Sequence, residues 1–547
     1  MVRTDFFPIL TDSLKMANLL VLTIYINVIS RVCFGEINTQ KFPDGFSFGA
    51  ATAAYQIEGA WNTSGKGESI WDHFVHTNSS RIVDGSNADI ACDSFHKYKE
   101  DIALAADMGL THYRFSVSWT RILPNGYNNI KNIDGIMYYQ NVVKEIEKRN
   151  MTPMVTIYHW DLPETIQDIG GWVNPKIVEY FRDYAEIVFE SLPTVKLWIT
   201  INEPKQVCQG GYGKGSMAPG YTESGVSDYL CSYHIIKAHA AAYNLYQEKF
   251  KNLGGKITMA IDGVWSIPYS DEEEHKEAAS RKLAFEFGLY AHPIFFGDWP
   301  EVVKQRVAER SSNESFTKSR LPPFTEDDIS QINGTADYVA FNFYDTKLIK
   351  NVEEADFDSV SYDNDLRTSA ENDPKWNTSI DGTTSIYPNG LCEYLNWIKN
   401  NYNNPDIYIT ENGVADDGST LDDKERINYL TDYLTAVLDA IYKYEVKVKA
   451  YTMWSLLDNF EWRKGYSVHM GFFSVDFEDP ERKRTPKKSV KFFRELIEKG
   501  RIPYIPHAIT EPSSTTPSST TEHHNSGSQH FIEAFFIIVP VIFYFSI

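Results

Sequence analysis

The sequence predicts an α/β protein, a single (β/α)₈ TIM barrel. Three observations point there. Eight short runs rich in β-branched and aromatic residues alternate with longer stretches whose apolar residues recur every three or four positions. Strand and helix follow one another in turn, the pattern of a parallel sheet with helical crossovers. Two of the strand runs end on a glutamate, and strand C-terminal ends form the working face of such a barrel.

The strand runs are residues 46–49, 112–116, 153–158, 196–201, 256–264, 338–342, 407–410 and 448–454. Helical patterns cover 136–148, 175–192, 230–250, 390–400, 422–442 and 487–499. In the second of these, Ile177, Tyr180, Phe181 and Tyr184 fall on one face. Alternation alone does not separate a closed barrel from an open doubly wound sheet. Residues 271–336 and 351–385 read as polar loops or insertions without the composition of a linker, so 36–505 reads as one domain.

The two ends read as addresses. An apolar run, 19–29, follows Lys15, is too short to span a bilayer, and is followed by Arg31, Cys33 and Gly35. That is the layout of a signal peptide over residues 1–35, with Met16 as an alternative start. At the other end, 506–530 is a Ser/Thr/Pro-rich stalk and polar spacer. The chain closes on an apolar tail, 531–547, with no charge after it. Small residues, polar spacer and terminal apolar tail are the pattern of a removed GPI signal, with Ser518, Ser519, Asn525, Ser526 or Gly527 as the attachment residue. A membrane-spanning tail is the rival. Six N-glycosylation sequons, at Asn62, Asn78, Asn150, Asn313, Asn333 and Asn377, fit passage through the secretory pathway to the cell surface.

A formal net charge of −22 argues against nucleic acid and against an anionic membrane surface as partners. None of the five cysteines sits in a CxxC pair, so a structural zinc site is not expected; nor is any other metal or organic cofactor. Cys208 and Cys231 are the closest pair along the chain; spacing does not fix connectivity.

The chemistry concentrates at two strand ends. Leu197-Trp-Ile-Thr-Ile-Asn-Glu203 is an apolar strand stopped by Pro204, and Ile407-Tyr-Ile-Thr-Glu411 is one followed by Asn412 and Gly413. Counted along the barrel, Glu203 ends the fourth strand and Glu411 the seventh, so both face its mouth. A glycosidic bond breaks through an oxocarbenium-like state that needs a proton for the leaving oxygen and an anion on the opposite face. Two glutamates supply both if burial holds Glu203 protonated and a cation keeps Glu411 ionised. Arg114, at the end of the second strand, is the candidate cation. One such glutamate reads as a surface salt bridge or loop cap; two in matching contexts point to catalysis.

The chain resembles glycoside hydrolase family 1, the β-glucosidase family, from Phe42 to about Glu495. The matching motifs are the opening from Phe42 to Gly59, His159-Trp-Asp-Leu-Pro163, Thr200-Ile-Asn-Glu-Pro204, Tyr408-Ile-Thr-Glu-Asn-Gly413 and Trp454-Ser-Leu-Leu-Asp-Asn-Phe-Glu-Trp462, in the family's order. The resemblance implies a retaining β-glucosidase with Glu203 as general acid/base and Glu411 as nucleophile, their carboxyls about 5 to 5.5 Å apart. It implies that Gln56, His159, Asn202, Glu461 and Trp462 bind the sugar hydroxyls and that Trp454 floors the ring. It also implies that Asn342 and Tyr344 line the site, with Tyr344 donating to Glu411.

Glu461 would repel a phosphate, so an unphosphorylated β-glucoside or oligosaccharide is the expected substrate. Plant-type thioglucosidases of the family carry Gln at the acid/base position. Glu203 is retained, which favours O-glycosides without excluding a thioglucosidase acting on glucosinolates. A catalytically silent cell-surface sugar-binding protein is the alternative from another class. One departure from the family pattern is His469-Met470 before Gly471, where a basic residue and Phe are common. Trp376 and the segment 351–385 are expected to shape the aglycone side.

Overall fold

The computed structural model describes residues 37–352, 359–380 and 382–503. The signal-peptide segment, the stalk and the apolar tail lie outside the described residues. The chain divides into two units, Met1–Pro503 and Tyr504–Ile547, and the second falls wholly outside them. No helix among the described residues is long and apolar enough to cross a membrane.

Eight parallel strands form the barrel: β1 (Ser47–Ala51), β2 (His112–Ser116), β3 (Thr152–Tyr158), β4 (Leu197–Asn202), β5 (Lys256–Pro268), β6 (Val339–Asn351), β7 (Ile407–Asn412) and β8 (Val448–Trp454). Each pairs with the next, β8 returns to β1, and pairing of β7 with both β6 and β8 closes the cylinder. Closure is what alternation left open. Met154, Ile199, Ala260 and Ala340, from four successive strands, pack with Tyr338 into one buried cluster, with Leu197 and Tyr408 against it. The cylinder is therefore a filled core, not a pore.

The helices cover this cylinder through apolar faces. Ile177–Ser191 buries Ile177, Phe181, Tyr184, Ala185 and Val188, while Tyr180 stays half-buried. Ile70–Thr77 begins with a reciprocal cap: Ser69 Oγ accepts from Asp72 N at 3.2 Å, and the Asp72 carboxylate accepts from Ser69 N at 2.8 Å.

The structure corrects two expectations. Residues 271–336 are not a polar loop: Glu273–Leu283, Leu289–Phe296, Glu301–Asn313 and Glu326–Ile332 are helices. In Glu301–Asn313 the buried face is narrow, with only Val303, Val307, Arg310 and Ser311 inside, whereas Leu289–Phe296 is apolar nearly all round and buries five of its eight residues, so neither shows a clean period. Within 351–385, Thr368–Glu371 and Asn377–Thr378 are strands. Thr368–Glu371 pairs antiparallel with the end of β6, which with β5 runs on past the barrel rim.

Cys208 and Cys231 form a disulfide, with Cα atoms 5.5 Å apart. It ties the π-helical turn Gln206–Gly213, which begins three residues after Glu203, to the long helix Ser227–Lys249. Cys92 and Cys392 are free and buried. All six sequon asparagines are exposed.

Candidate active site

At the C-terminal ends of the strands lies a cavity of about 670 Å³. Glu203, Glu411, His159, Asn342, Tyr344, Trp454, Glu461 and Trp462 all line it. Gln56, Arg114 and Asn202 lie just beneath, bonded to lining residues. The structure thus brings together every sugar-site residue read from the sequence.

Local backbone irregularity aims these groups. The pairing of β4 with β5 slips between Ile199 and Asn202, and that of β7 with β6 slips between Ile409 and Glu411. Such bulges re-aim side chains beside active sites. Glu203 itself stands just past β4 with φ +46°, in the left-handed region that costs an L-residue about 1–2 kcal/mol. Its N–H donates to the Ala260 carbonyl at 2.8 Å, which holds it there. Trp160 and Trp462 also line the cavity with positive φ, and their rings are 4.4 Å apart. Strain of this kind clusters at functional sites.

The two glutamates have unlike neighbours. Arg114 Nη1 donates to Glu411 Oε1 at 2.6 Å and Tyr344 Oη donates to Glu411 Oε2 at 2.8 Å. Arg114 also donates to Asn202 Oδ1 at 2.6 Å and to the Thr410 carbonyl at 2.9 Å, so its guanidinium is held from several sides. It stands in the middle of β2, not at its end, and is 1% exposed. Glu203 Oε1 instead accepts from the amide of Asn342 at 2.8 Å, while Asn342 Oδ1 accepts from Thr410 Oγ1 at 2.6 Å.

Burial raises the pKa of both carboxyls. For Glu203 the charges of Glu411 and Asp262 add to burial and hold it well above the usual carboxylate range. For Glu411, Arg114 and the Tyr344 hydroxyl pull back against burial. The cation therefore opposes desolvation at Glu411 without cancelling it, and the Glu203 pKa is raised further above the usual carboxylate range. Burial, and behind it the Arg114 charge, push His159 well below its ordinary value and hold it neutral. Burial raises Glu461 to about 7, against hydrogen bonds from Trp454 and Gln56.

The wall around the sugar-site residues is aromatic. His159 stacks 6.0 Å from both Trp454 and Trp462. Met470 packs with Trp454, Ala51 and Ala53 and lines the cavity, so the departure from the family pattern sits in this wall. His469 Nδ1 lies 3.0 Å from Asp458 Oδ2 behind it. Trp376 does not line the cavity; it stacks on Tyr387 at 4.5 Å, and Ser379, Thr384 and Ile386 line that side instead.

Sequence reasoning missed Lys205, Gln206, Asp262 and Asp345, which also line the cavity. Asp262 carried a related signal, a mostly apolar strand run reaching a carboxylate, but it stands inside β5 and not at its end.

A family model for glycosyl hydrolase family 1 matches residues 38–501. The chain belongs to glycosyl hydrolase family 1. It is a glycoside hydrolase on a single barrel of this family. It is 45% identical over 473 residues to Myrosinase 1 of Brevicoryne brassicae, covering 84% of this chain and 99% of that one. It is 44% identical over 463 residues to human lactase/phlorizin hydrolase, spanning 84% of this chain but 24% of that protein. Among solved structures, a mutant rice β-glucosidase in a covalent complex with Glc superposes with a TM-score of 0.79 at 38% identity, covering 85% of this chain and 99% of that one.

Proposed function

We propose that this family 1 hydrolase is a retaining β-glucosidase that releases terminal nonreducing β-D-glucosyl residues. One observation carries the reading: two buried glutamates share a cavity, one held by a guanidinium and a phenol, the other by a neutral amide. In the first step Glu411 attacks the anomeric carbon as the glycosidic C–O bond breaks, and the Glu203 proton passes to the leaving oxygen. In the second, Glu203 takes a proton from water, whose oxygen displaces Glu411 from the sugar. Gln56, His159, Asn202, Asn342, Glu461 and Trp462 hold the hydroxyls and Trp454 supports the ring. Arg114 and Tyr344 stabilise the Glu411 carboxylate as leaving group. The covalent Glc complex of the rice neighbour supports a glycosyl-enzyme intermediate.

Turnover of 4-nitrophenyl β-glucoside, with the β-anomer of glucose as the first product seen by NMR, is expected; first release of the α-anomer would refute retention. Similarity to a myrosinase favours a second reading, thioglucosidase activity, and hydrolysis of a glucosinolate faster than of any O-glucoside would establish it. A silent sugar-binding protein would turn over neither.

We propose further that residues 1–35 direct secretion, that 36–505 form the catalytic domain, and that a GPI anchor attached in the stalk holds the enzyme at the cell surface. Exposure of the six sequon asparagines supports glycosylation in transit. Phosphatidylinositol-specific phospholipase should release the activity from membranes; continued attachment would favour a spanning tail.

A further inference from the structure

The six sequons are not equivalent. Asn377 opens the sequon Asn377-Thr-Ser379 and lies in the strand Asn377–Thr378, which pairs antiparallel with Ser385–Ile386. Among the described residues it is the one sequon asparagine paired with a residue that lines the cavity.

Strand pairing fixes which way its side chain stands. Asn377 is opposite Ile386, and Thr378 is opposite Ser385. The register runs on, since the Ser379 N–H donates to the Thr384 carbonyl at 2.8 Å. Residues directly opposite each other, and residues two apart on one strand, share a face. Asn377, Ser379, Thr384 and Ile386 therefore form one face of the pair, and the last three all line the cavity. Along that face burial falls from Ser379, 8% exposed, through half-buried Thr384 and Ile386 to exposed Asn377. Asn377 is thus the outer corner of a cavity wall, at the mouth.

The corner is held in place. Next to it Trp376 stacks on Tyr387 at 4.5 Å. Ser385 donates through its N–H to Asp345 Oδ1 at 2.8 Å and through its hydroxyl to Asn372 Oδ1 at 3.0 Å. A group attached to Asn377 has a fixed base beside the opening.

We propose that Asn377 carries an N-linked glycan that stands at the cavity mouth and acts as a size filter, hindering long oligosaccharides while small glucosides pass. This rests on the β-glucosidase and secretory readings and deepens both. A glycan is bulky and keeps to the surface. The cavity, about 670 Å³, is of a size that takes a small molecule whole. An oligosaccharide of several sugars must extend through the mouth and meets the glycan there; a small aryl glucoside does not.

The test compares the full-length enzyme, secreted by a eukaryotic host, with Asn377→Gln. Glycopeptide mass spectrometry reads the occupancy of every sequon, and kcat/KM is measured on cellopentaose and on 4-nitrophenyl β-glucoside. Asn377 should be occupied, and the ratio of cellopentaose to aryl activity should rise about threefold or more in Asn377→Gln, as a steric limit on approach is lifted. Should that variant fail to fold, peptide N-glycosidase treatment of the folded wild type decides, with removal at Asn377 followed by mass spectrometry and the same rise expected. A bare Asn377 beside occupied sequons elsewhere, or a ratio unchanged once the glycan is gone, would overturn this proposal alone. Bare asparagines at all the sequons would overturn the secretory reading, and a wild type inactive on the aryl glucoside the β-glucosidase reading, each taking this proposal with it.

Discussion

The difference between the two catalytic candidates is made by a few contacts of local chemistry. Glu411 faces a guanidinium at 2.6 Å, whereas Glu203 faces an amide at 2.8 Å and the charges of Glu411 and Asp262. Burial raises both pKa values, but only Glu411 has a direct cationic partner. In the proposed mechanism Glu203 must be protonated to act first, so activity falls as pH rises through its elevated pKa. Glu203→Gln should remove that alkaline limb and cost about 10²–10⁴-fold in kcat on poor leaving groups, and far less on a dinitrophenyl glucoside. A loss equal on both substrates would refute the acid role. Glu461 titrates at about 7, and its ionised form makes the stronger, charge-assisted bonds to sugar hydroxyls. KM for a glucoside should therefore fall as pH rises through about 7, and in Glu461→Gln it should be higher and flat with pH. The glutamates were legible because each ends an apolar strand and is followed by Pro204 or by Asn412 and Gly413. The order of their pKa values and Arg114 as the cation were expected as well; what was not legible is that burial outweighs Arg114, a residue 297 positions away, so that the Glu411 pKa is raised too.

At the scale of elements, the devices that hold the site are short. The disulfide joins the turn after Glu203 to a helix, its two cysteines 23 residues apart. Replacing both cysteines by serine should lower stability by about 2–4 kcal/mol in chemical denaturation, because the unfolded chain regains the freedom of an open loop. An unchanged denaturation midpoint would show that packing of Gln206–Gly213 suffices. Ser69 is buried, and its hydroxyl donates to Asp72 Oδ2 at 2.8 Å while Lys66 Nζ reaches the same oxygen at 2.7 Å. Ser69→Ala should cost about 1–2 kcal/mol, read in the same way. The strand runs were legible to within a few residues, with 112–116 and 448–454 matching β2 and β8, except that β6 runs nine residues past its expected end. Glu273–Leu283 and Glu301–Asn313 were not, since their solvent faces are wide and charged and tertiary contact, more than periodicity, makes them; Leu289–Phe296 was not, since it is apolar nearly all round. The register slips in β4 and β7 were equally hidden, because a bulge is defined only against its neighbour strand.

At the scale of the molecule, a closed cylinder of parallel strands carries the candidate site on one rim, and β5 and β6 continue beyond it. The family match, 38–501, falls within the unit that ends at Pro503. A chain truncated after Pro503 should keep its kcat/KM on 4-nitrophenyl β-glucoside within about twofold, as a unit with its own core does, while losing the membrane attachment that the proposed anchor would give. A large loss of activity would give the stalk and tail a part in catalysis. By itself the sequence determined the strand-helix alternation, the family motifs and the identity of both glutamates, because these are local patterns of apolar period and strand-end residue type. Only the tertiary structure decided that the sheet closes, that Arg114 reaches Glu411 and Asn202 together, and that Asp262 stands beside Lys205 in the same cavity. Those are distances between residues far apart along the chain, set by strand pairing and burial, which no single stretch of sequence contains.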